Sequence, residues 1–486
     1  MSNVTWKTIA VTDRAPAIVE WLDQGATYRM CLAESCGEGV DLCYLFSDRD
    51  GGLNGLRARA ERGAHVPSLV DVLPALHWDE REIQDMFGMR FPGHPDPRPL
   101  LLPGSYSGHP PLAPHVQSVP RDPWRPRTLS QHGIVEIPVG PVHAGIIESG
   151  HFRFSTMGET VLQLDARLFW NHRGVEENLE GRNIEESFRI VERTCGNCSA
   201  SHQEAFSQAV EAIAGVEVPV QALAWRAAIL EMERIYNHLN DLGQLATGVA
   251  LAVLAQQGQR LKERALRLQH EAFGHRYLFG TVRPGWVKPP SDPRKLADGL
   301  RRLHEDSARW ADKLFTNVGF RDRLTGIGVV PLETARVLGA VGPSARASGT
   351  AADVRTDRPY GAYRDARVVP ETSTNGDAMA RAEIRRRELA QSFALAISFL
   401  KTGGPAKPPA GLGEEVSGDA AAIVESPRGA EVQYLRLLRG KVQRFHLRSA
   451  SFADWPLIMV AAADNPIGDF PLINKSFELC YACCDR

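Results

Sequence analysis

The strongest constraint on the fold is the wide separation of two cysteine pairs that share the C-x-x-C spacing. One pair, Cys195 and Cys198, lies near the middle of the chain, and the other, Cys480 and Cys483, lies within its last seven residues. Chain ends usually fray. A thiol pair at this end is therefore best explained by a metal that ties it into the interior, together with thiols from elsewhere.

The spacing leaves two interpretations open. Structural zinc sites usually take both pairs from one local unit, with about 15–20 residues between them, whereas 282 positions separate Cys198 from Cys480. This argues against a zinc ribbon but does not exclude a tetrahedral site. Thiolates are soft ligands that suit zinc, iron–sulfur centres and other late transition metals. The pairs are either two halves of one metal site or unrelated.

Composition excludes several classes of protein. A formal charge of −2 over 486 residues provides no electrostatic case for nucleic-acid binding. The N-terminus lacks the apolar region of a signal peptide, and the longest apolar stretches are far shorter than the roughly 18 residues of a membrane span. We therefore expect a soluble, cytoplasmic chain that reaches a membrane only through partners. Its eight cysteines are expected as metal ligands or buried thiols.

Residues 1–105 predict a small α+β domain. The apolar run Cys43–Phe46 indicates a buried strand, and Ser47–Gly52 is a strong turn signal. Cys31 and Cys36, like Cys43, belong to no C-x-x-C pair, so they are expected as core or surface thiols.

A short helix is expected near the end of this domain. Ile83 and Phe87 are four residues apart, which predicts an amphipathic helix that turns its charges outward and ends at Gly88. Residues 106–130 form a proline-rich linker, because this proline density forbids helix and favours extended chain.

Residues 131–486 predict a large, mainly helical domain. Two apolar stripes with helical spacing indicate buried faces: Ile229, Met232, Ile235, Leu239 and Leu242 in one, and Leu389, Phe393, Ile397 and Leu400 in the other. Gly403–Gly413 reads as a loop. The stretches Ala430–Leu435 and Val442–Leu447 alternate like the two strands of a hairpin.

The residues around the cysteines carry a resemblance to a known family. Arg193-x-Cys195-Gly196-x-Cys198-x-x-x-His202 and Cys480-x-x-Cys483-x-x-Arg486 together resemble the large subunit of nickel–iron hydrogenases, above all the membrane-bound, energy-converting group related to complex I. Further stretches match that group: Gly140–Phe154, His172–Glu176, Gly342–Gly349, Asp353–Arg355, Pro359-Tyr360 and Glu425–Gly429.

The N-terminal domain carries a second resemblance. Trp78-x-Glu80-Arg81-Glu82-x-x-Asp85-x-Phe87-Gly88, followed by Gly93-His94-Pro95, resembles the complex I peripheral-arm subunit that sits against the quinone-site subunit. Some hydrogenases of this group, such as the large subunit of formate hydrogenlyase, carry this module fused in front. The resemblance implies a small α+β module followed by a mainly α-helical hydrogenase-like module.

The resemblance also implies a metal site. Cys195 and Cys480 would bind nickel terminally, whereas Cys198 and Cys483 would bridge nickel to an iron that carries cyanide and carbon monoxide. Cys480 would be the first proton acceptor. A magnesium or iron ion nearby belongs to the same expectation, and no iron–sulfur cluster is expected, since no further cysteines stand in a cluster pattern.

Other residues acquire roles by the same resemblance. Arg428 would overhang the open site, Glu148 would relay protons, and His202 would hydrogen-bond a bridging sulfur. Glu478 stands where the family usually has Asp, so a carboxylate is kept with one more methylene. Cys484 is an extra thiol that could be a bystander, an oxidation liability or an alternative ligand.

The implied function is reversible conversion of dihydrogen into two protons and two electrons. Expected partners are an iron–sulfur small subunit, a ferredoxin-like iron–sulfur subunit, membrane-embedded antiporter-like subunits and maturation proteins, at the inner face of the cell membrane. Large subunits of this family are commonly trimmed after the residue matching Arg486, so an extension beyond Arg486 is expected to hinder closure of the site.

Two other interpretations of the protein's function remain open. One is a complex I-type NADH–quinone oxidoreductase subunit with vestigial cysteines, because the homologous complex I subunit has lost all four thiols. The other is a structural zinc protein or assembly scaffold. The electron donor, the direction of catalysis and any ion pumping are not decided by the sequence.

Overall fold

The N-terminal part of the chain is built on a four-stranded sheet. The computed structural model describes residues 4–103, 106, 108–113, 116, 124–143, 147–405, 412 and 415–486. The sheet has the strand order β1-β4-β3-β2, with β1 parallel to β4 and the other pairs antiparallel. Its strands are β1 (Thr5–Ile9), β2 (Thr27–Cys36), β3 (Gly39–Ser47) and β4 (Leu53–Glu61), and helices α1 (Arg14–Asp23) and α2 (His77–Phe87) accompany it.

Both faces of this sheet are buried along its inner strand β3. Along β3, Cys43 and Leu45 join the core formed with the later helices, whereas Leu42, Tyr44 and Phe46 join a second core. Successive strand side chains point to opposite faces, so a strand between two cores needs apolar residues at every position. This confirms the predicted buried strand and explains its unbroken apolar run. Cys31 and Cys43 are buried, and Cys36 is partly exposed, as expected.

Helix α2 corrects one prediction. It ends at Gly88, whose φ of +71° suits glycine, as predicted. The expectation of outward charges was wrong, because its charged side chains Asp79, Glu80, Arg81, Glu82 and Asp85 are buried. Tertiary packing places α2 between the sheet and the rest of the chain. Buried polar partners are available there: Asp85, for example, accepts hydrogen bonds from the backbone amides of residues 100–102.

The proline-rich stretch is described only in part. Residues 104–105, 107, 114–115 and 117–123 lie outside the described residues, as do 406–411 and 413–414 of the predicted loop. The described portion contains no helix, as predicted, and Leu112 donates its amide to the carbonyl of Met86 in α2. The boundaries 1–105, 106–130 and 131–486 stay predictions.

The second part is mainly helical and also contains small antiparallel sheets. Its strands are β5 (Ile134–Val139), β6 (His151–Met157), β7 (Thr160–Arg167), β8 (Val282–Arg283), β9 (Trp286–Val287), β10 (Gly418–Ser426), β11 (Gly429–Leu438) and β12 (Lys441–Arg448). Its helices are α3 (Val175–Leu179), α4 (Ile184–Val191), α5 (Ser199–Ala214), α6 (Val220–Gly248), α7 (Ala252–Phe273), α8 (Pro293–Phe315), α9 (Val318–Leu324), α10 (Leu332–Val337), α11 (Gly342–Ala347), α12 (Val354–Asp357), α13 (Ala378–Thr402), α14 (Ala450–Ala462), α15 (Phe470–Phe477) and α16 (Ala482–Asp485).

Helices α6 and α13 form the centre of this part. The two predicted apolar stripes lie on them, and the predicted hairpin is β11–β12. Helix α6 is buried more completely than a single stripe requires, since Glu231, Glu233 and Arg234 are also inaccessible. Helices α7 and α13 pack against it, so the polar positions of α6 face protein. In the described part of the chain, no helix is long and apolar enough to cross a membrane.

Candidate metal centre

The two cysteine pairs meet in the interior. The sulfur atoms of Cys195 and Cys480 are 3.1 Å apart, and those of Cys195, Cys480 and Cys483 all lie within 4.8 Å of one another. Cys198 packs in the same cluster. Each of the four residues is at most 8% exposed. The fold therefore places the end of the chain against its middle.

Helix α6 holds the first pair in place. The Tyr236 hydroxyl donates to the carbonyl of Gly196 (2.8 Å), and the Asn237 side-chain amide donates to the carbonyl of Asn197 (2.8 Å). Glu233 accepts hydrogen bonds from two backbone amides in the first turn of α5 at 2.6 and 3.1 Å. These contacts attach the turn between the two thiols to a buried helix.

The start of α14 holds the second pair. The Cys480 amide donates to Ser451 Oγ (2.9 Å), and Ser449 Oγ donates to the carbonyl of Cys483 (3.1 Å). Arg385 of α13 donates to the carbonyls of the last two residues of α15, each at 2.7 Å. The segment that leads into Cys480 is thereby fixed from both sides.

Arg173 joins the two pairs directly. Its Nη2 donates to the carbonyl of Thr194 (2.7 Å) and to the carbonyl of Ala482 (2.9 Å). These residues immediately precede Cys195 and Cys483. Sequence reasoning assigned no role to Arg173. It lies in the stretch His172–Glu176, which was noticed only through the family resemblance.

The thiols fit a bound soft metal ion. Hydrogen bonding with Cys195, together with burial, raises the pKa of Cys480 to about 12, and contacts with the other thiols raise the pKa of Cys483. Hydrogen bonds from Cys195 and Cys483 lower the pKa of Cys198 to about 7. Without a cation, close-packed buried thiols cannot all ionise. A late transition metal would supply the compensating charge.

Arg428 is buried and anchored by Asp241. Its guanidinium forms a two-point salt bridge with Asp241, one contact being 2.9 Å, and approaches Asn237 Oδ1 at 3.3 Å. Burial disfavours its charge, but Asp241 outweighs burial and holds the pKa of Arg428 above its ordinary value. Among the described residues, Arg428 Nε has no hydrogen-bond partner. No sequence pattern pointed to Asp241, because it is one of many polar residues on α6.

Two glycines allow the Arg428 turn to approach α11. A Cβ on Gly342, which has a φ of +61°, would lie 2.1 Å from the carbonyl oxygen of Arg428. A Cβ on Gly429, which has a φ of +131°, would lie 2.6 Å from the amide nitrogen of Gly342. Only glycine fits such a close backbone approach. This gives a physical reason for glycine in two of the stretches that matched the family.

Three of the matched stretches, Gly342–Gly349, Asp353–Arg355 and Glu425–Gly429, contribute to a buried ion-pair network. Arg346 contacts Glu388 (2.8 Å) and Glu425 (2.9 Å), and Arg355 contacts Asp353 (2.7 Å). All five side chains are at most 2% exposed. These residues support the strand that leads to Arg428.

His202 contacts a thiol of the cluster. Its Nδ1 is 2.6 Å from Glu431 Oε1, and its Nε2 is 3.8 Å from Cys483 Sγ. Burial opposes protonation of His202, but Glu431 outweighs it and raises the pKa to about 9. A protonated imidazole offers both ring nitrogens as donors, which suits a hydrogen bond to sulfur.

Glu148 and Glu478 lie on different sides of the thiols. Glu148 is exposed, and its Oε2 accepts the amide of Ala482 (2.9 Å). Desolvation and the neighbouring Cys480 raise the pKa of Glu148. Residues 144–146, just before it in the matched stretch, lie outside the described residues. Glu478 follows the last residue of α15 and has a φ of +52°. Its pKa is raised mainly by burial and also by the negative charge of Asp241.

A second buried cluster lies nearby. Glu82, Glu176 and His446 have ligand atoms within 4.8 Å of one another. The Arg486 guanidinium already occupies this cluster, donating to Glu82 (2.6 Å) and Glu176 (2.8 Å). A divalent ion here would have to displace that charge, so the magnesium or iron ion stays a prediction without support at this position. Cys484 packs in the second apolar core and is not part of the cluster of four thiols.

Three family models match successive parts of the chain. The 30 Kd subunit of respiratory-chain NADH dehydrogenase matches residues 10–118, nickel-dependent hydrogenase matches 173–247, and the 49 Kd subunit of respiratory-chain NADH dehydrogenase matches 249–405. Fold and thiol site thus define a protein of the class that unites complex I subunits with nickel-dependent hydrogenases.

Comparison with known proteins narrows this class. Hydrogenase-4 component G of Escherichia coli is 31% identical over 86% of this chain and 76% of its own length. Formate hydrogenlyase subunit 5 of the same organism is 30% identical over 91% and 81%. The membrane-bound sulfane sulfur reductase, an archaeal respiratory complex, contains a chain that matches with a TM-score of 0.68 and 28% identity, covering 74% of this chain and 100% of that one. The chain belongs to the complex I-related nickel–iron hydrogenase large-subunit family, in the form with a fused 30 Kd-like module.

Proposed function

We propose that this chain is the catalytic subunit of a membrane-associated nickel–iron hydrogenase. It would interconvert dihydrogen with two protons and two electrons. The observation that carries the proposal is the convergence of four buried thiols from two distant C-x-x-C pairs. Reduction of a quinone does not require a cluster of four thiols, whereas a nickel–iron centre requires all four sulfurs.

Cys195, Cys198, Cys480 and Cys483 would hold the metals, with cyanide and carbon monoxide on the iron. When bound, the centre supplies the Lewis-acid and redox chemistry that splits dihydrogen heterolytically. The sulfur of Cys480 would take up the first proton. Glu148 would receive it next, because its carboxylate is held beside Cys480 through the amide of Ala482. Since Glu148 is exposed, the proton can leave from there to water.

Arg428 and His202 would shape the electrostatics of the site. Arg428 stays a cation because Asp241 is its fixed counter-ion. It is therefore suited to orient and stabilise developing negative charge rather than to act as a base. His202, charged by Glu431, would donate to Cys483 and withdraw electron density from that sulfur.

Electrons would leave through a partner, because the described residues contain no cysteine cluster besides the four thiols that could hold iron and sulfur. An iron–sulfur small subunit is the immediate acceptor. The expected ferredoxin-like subunit, membrane-embedded antiporter-like subunits and maturation proteins would complete the assembly. The chain would then be peripheral on the inner face of the cell membrane.

Three rival functions remain testable. The match to the 49 Kd subunit favours a quinone-linked complex I-type subunit, and the structural match favours sulfane sulfur reduction at the thiol site. A structural zinc site would use the same four sulfurs.

Metal analysis and infrared spectroscopy of the purified complex separate these functions. We expect about one nickel per chain and the stretching bands of cyanide and carbon monoxide. Holoprotein that lacks both signals would refute the proposal, and zinc in their place would favour the structural site. Cys480→Ser should abolish nickel binding and hydrogen-dependent dye reduction. Cys36→Ser, in a partly exposed strand position, is the matched control and should retain both.

A further inference from the structure

Ion pairs connect the N-terminal module to the rest of the chain. In three of them the N-terminal module supplies a buried carboxylate and the second part supplies an arginine: Glu34 with Arg436 (3.0 Å), Asp79 with Arg448 (3.5 Å) and Glu82 with Arg486 (2.6 Å). Arg98 of the N-terminal module pairs the other way round, with Asp165 (2.8 Å). Each carboxylate is at most 6% exposed. The N-terminal module is thus docked by buried charge as well as by apolar contact.

One of these pairs leads directly to the thiol cluster. Arg486 is 1% exposed and lies three residues after Cys483, beyond the short helix α16. Its backbone carbonyl accepts the amide of Arg173 (2.9 Å), and the Arg173 guanidinium spans the two cysteine loops. The position of Arg486 is therefore mechanically linked to the position of Cys483.

The charge balance around Arg486 depends on Glu82. Glu176 also contacts Arg486 (2.8 Å), but it is shared with Arg444 (2.8 Å) and with His446 (3.0 Å). Without Glu82, Glu176 would be the one carboxylate of the described residues in salt-bridge contact with Arg486, and Glu176 also contacts Arg444 and His446. Removing one partner of a buried ion pair is strongly destabilising, because the remaining charge stays uncompensated.

We propose that Glu82 is a positioning residue through which the N-terminal module closes the thiol cluster. The carboxylate holds Arg486, Arg486 holds the segment from Cys480 to Asp485, and this segment completes the cluster. The N-terminal module then contributes directly to the structure of the metal site. The proposal concerns the closure of the cluster and stands whichever metal the thiols take.

The test measures how fast each thiol of the metal-free full-length chain reacts with an alkylating reagent, read by peptide mass spectrometry. In Glu82→Gln, we expect Cys480 and Cys483 to react on the order of 100-fold to 1,000-fold faster than in the unaltered chain, the scale of losing one partner of a buried pair. Cys31 and Cys43 in the N-terminal sheet should react at unchanged rates. Nickel per chain after maturation should fall in the same variant.

Glu80→Gln is the matched control. Glu80 is a buried carboxylate on the same helix, but it accepts its hydrogen bonds within the N-terminal module, from Ser68 Oγ (2.6 Å) and the amide of Leu69 (2.8 Å). The glutamine oxygen can accept from the Leu69 amide, and its NH2 group can donate to Ser68 Oγ, so Cys480 and Cys483 should stay protected. Should Glu82→Gln not fold, Glu82→Asp keeps the charge with a shorter reach and should show a smaller increase confined to the same thiols.

A double-mutant comparison identifies the route of the effect. If Glu82 acts through Arg486, adding Glu82→Gln to Arg486→Gln should cause no further exposure of Cys480. Unchanged thiol reactivity in Glu82→Gln, an equal increase in Glu80→Gln, or full additivity in the double variant would each overturn the proposal. Exposure of the thiols in a protein that never binds nickel would support closure by Glu82 and refute only the hydrogenase function.

Discussion

Among the charged residues beside the metal site, Asp241 is the one whose substitution is expected to destabilise the protein most. It is fully buried and accepts from Arg428 through both carboxylate oxygens and from Arg385 at 3.1 Å. In Asp241→Asn, one accepting oxygen is replaced by an NH2 group that can only donate hydrogen bonds, and two buried arginines lose their counter-ion. Breaking a buried pair in this way costs about 3–5 kcal/mol.

This free energy converts into a measurable temperature shift. Unfolding entropy of about 2.1 cal/mol/K per residue corresponds to roughly 1 kcal/mol/K for a chain of 486 residues. Asp241→Asn should therefore lower the unfolding temperature by about 3–5 °C, measured by scanning calorimetry of the metal-free chain. The displaced Arg428 should also reduce hydrogen turnover per bound nickel by about 100-fold.

Asp312→Asn is the control for this measurement. Asp312 forms a salt bridge with Arg386 at 2.9 Å, but both side chains are exposed, at 66% and 43%. An exposed pair contributes about 0–1 kcal/mol, so the shift should be about 1 °C or less. Equal shifts in the two variants would refute the reasoning that burial of the Asp241 pairs makes their loss costly.

Three further predictions concern proton transfer, pH dependence and the C-terminal segment. Glu148→Gln keeps an acceptor for the amide of Ala482 but cannot carry a proton, so hydrogen turnover per nickel should fall about 100-fold or more while the nickel content stays unchanged. The control Glu38→Gln, at an exposed turn, should match the unaltered chain. Full activity of Glu148→Gln would exclude the relay. Burial raises the pKa of Asp454 to about 7, so its contribution to stability is present at low pH and is lost as pH rises from about 4 to 7. In urea titrations, the free energy of unfolding of Asp454→Asn should therefore exceed that of the unaltered chain by more at pH 8 than at pH 5. A difference that does not change with pH would contradict this pKa. Residues added after Arg486, which is buried, should lower the nickel content per chain. A C-terminally tagged protein with full nickel occupancy would contradict this prediction.

Several local features followed from sequence for reasons of elementary chemistry. The run Cys43–Phe46 indicated a buried strand, Gly88 marked the end of α2, and the apolar stripes located α6 and α13. Each depends on short-range periodicity or on the freedom of glycine to adopt positive φ. Such features are encoded within a few residues, so no tertiary information was needed.

Charged residues were the main source of error. Helix α2 was expected to turn its charges to solvent, yet Glu82 is buried, and on α6 the residues Glu231 and Glu233 are buried as well. A charged side chain in a helix pattern normally indicates the solvent face. That inference fails where the counter-charge comes from a distant part of the chain, as Arg486 does for Glu82. Asp241 was missed for the same reason. Arg173 was missed because it contacts the backbone carbonyls of Thr194 and Ala482, and such contacts leave no pattern in the sequence.

The sequence by itself determined the inventory of the site. Two C-x-x-C pairs, their flanking arginines and histidine, and the stretches that match the hydrogenase family are all visible in it. The tertiary structure alone decided that the pairs meet, with Cys195 and Cys480 sulfurs 3.1 Å apart, and that Glu82 of the N-terminal module helps to hold the segment that brings them together. Contacts between residues hundreds of positions apart leave no periodic signal, since they depend on how whole helices and sheets pack.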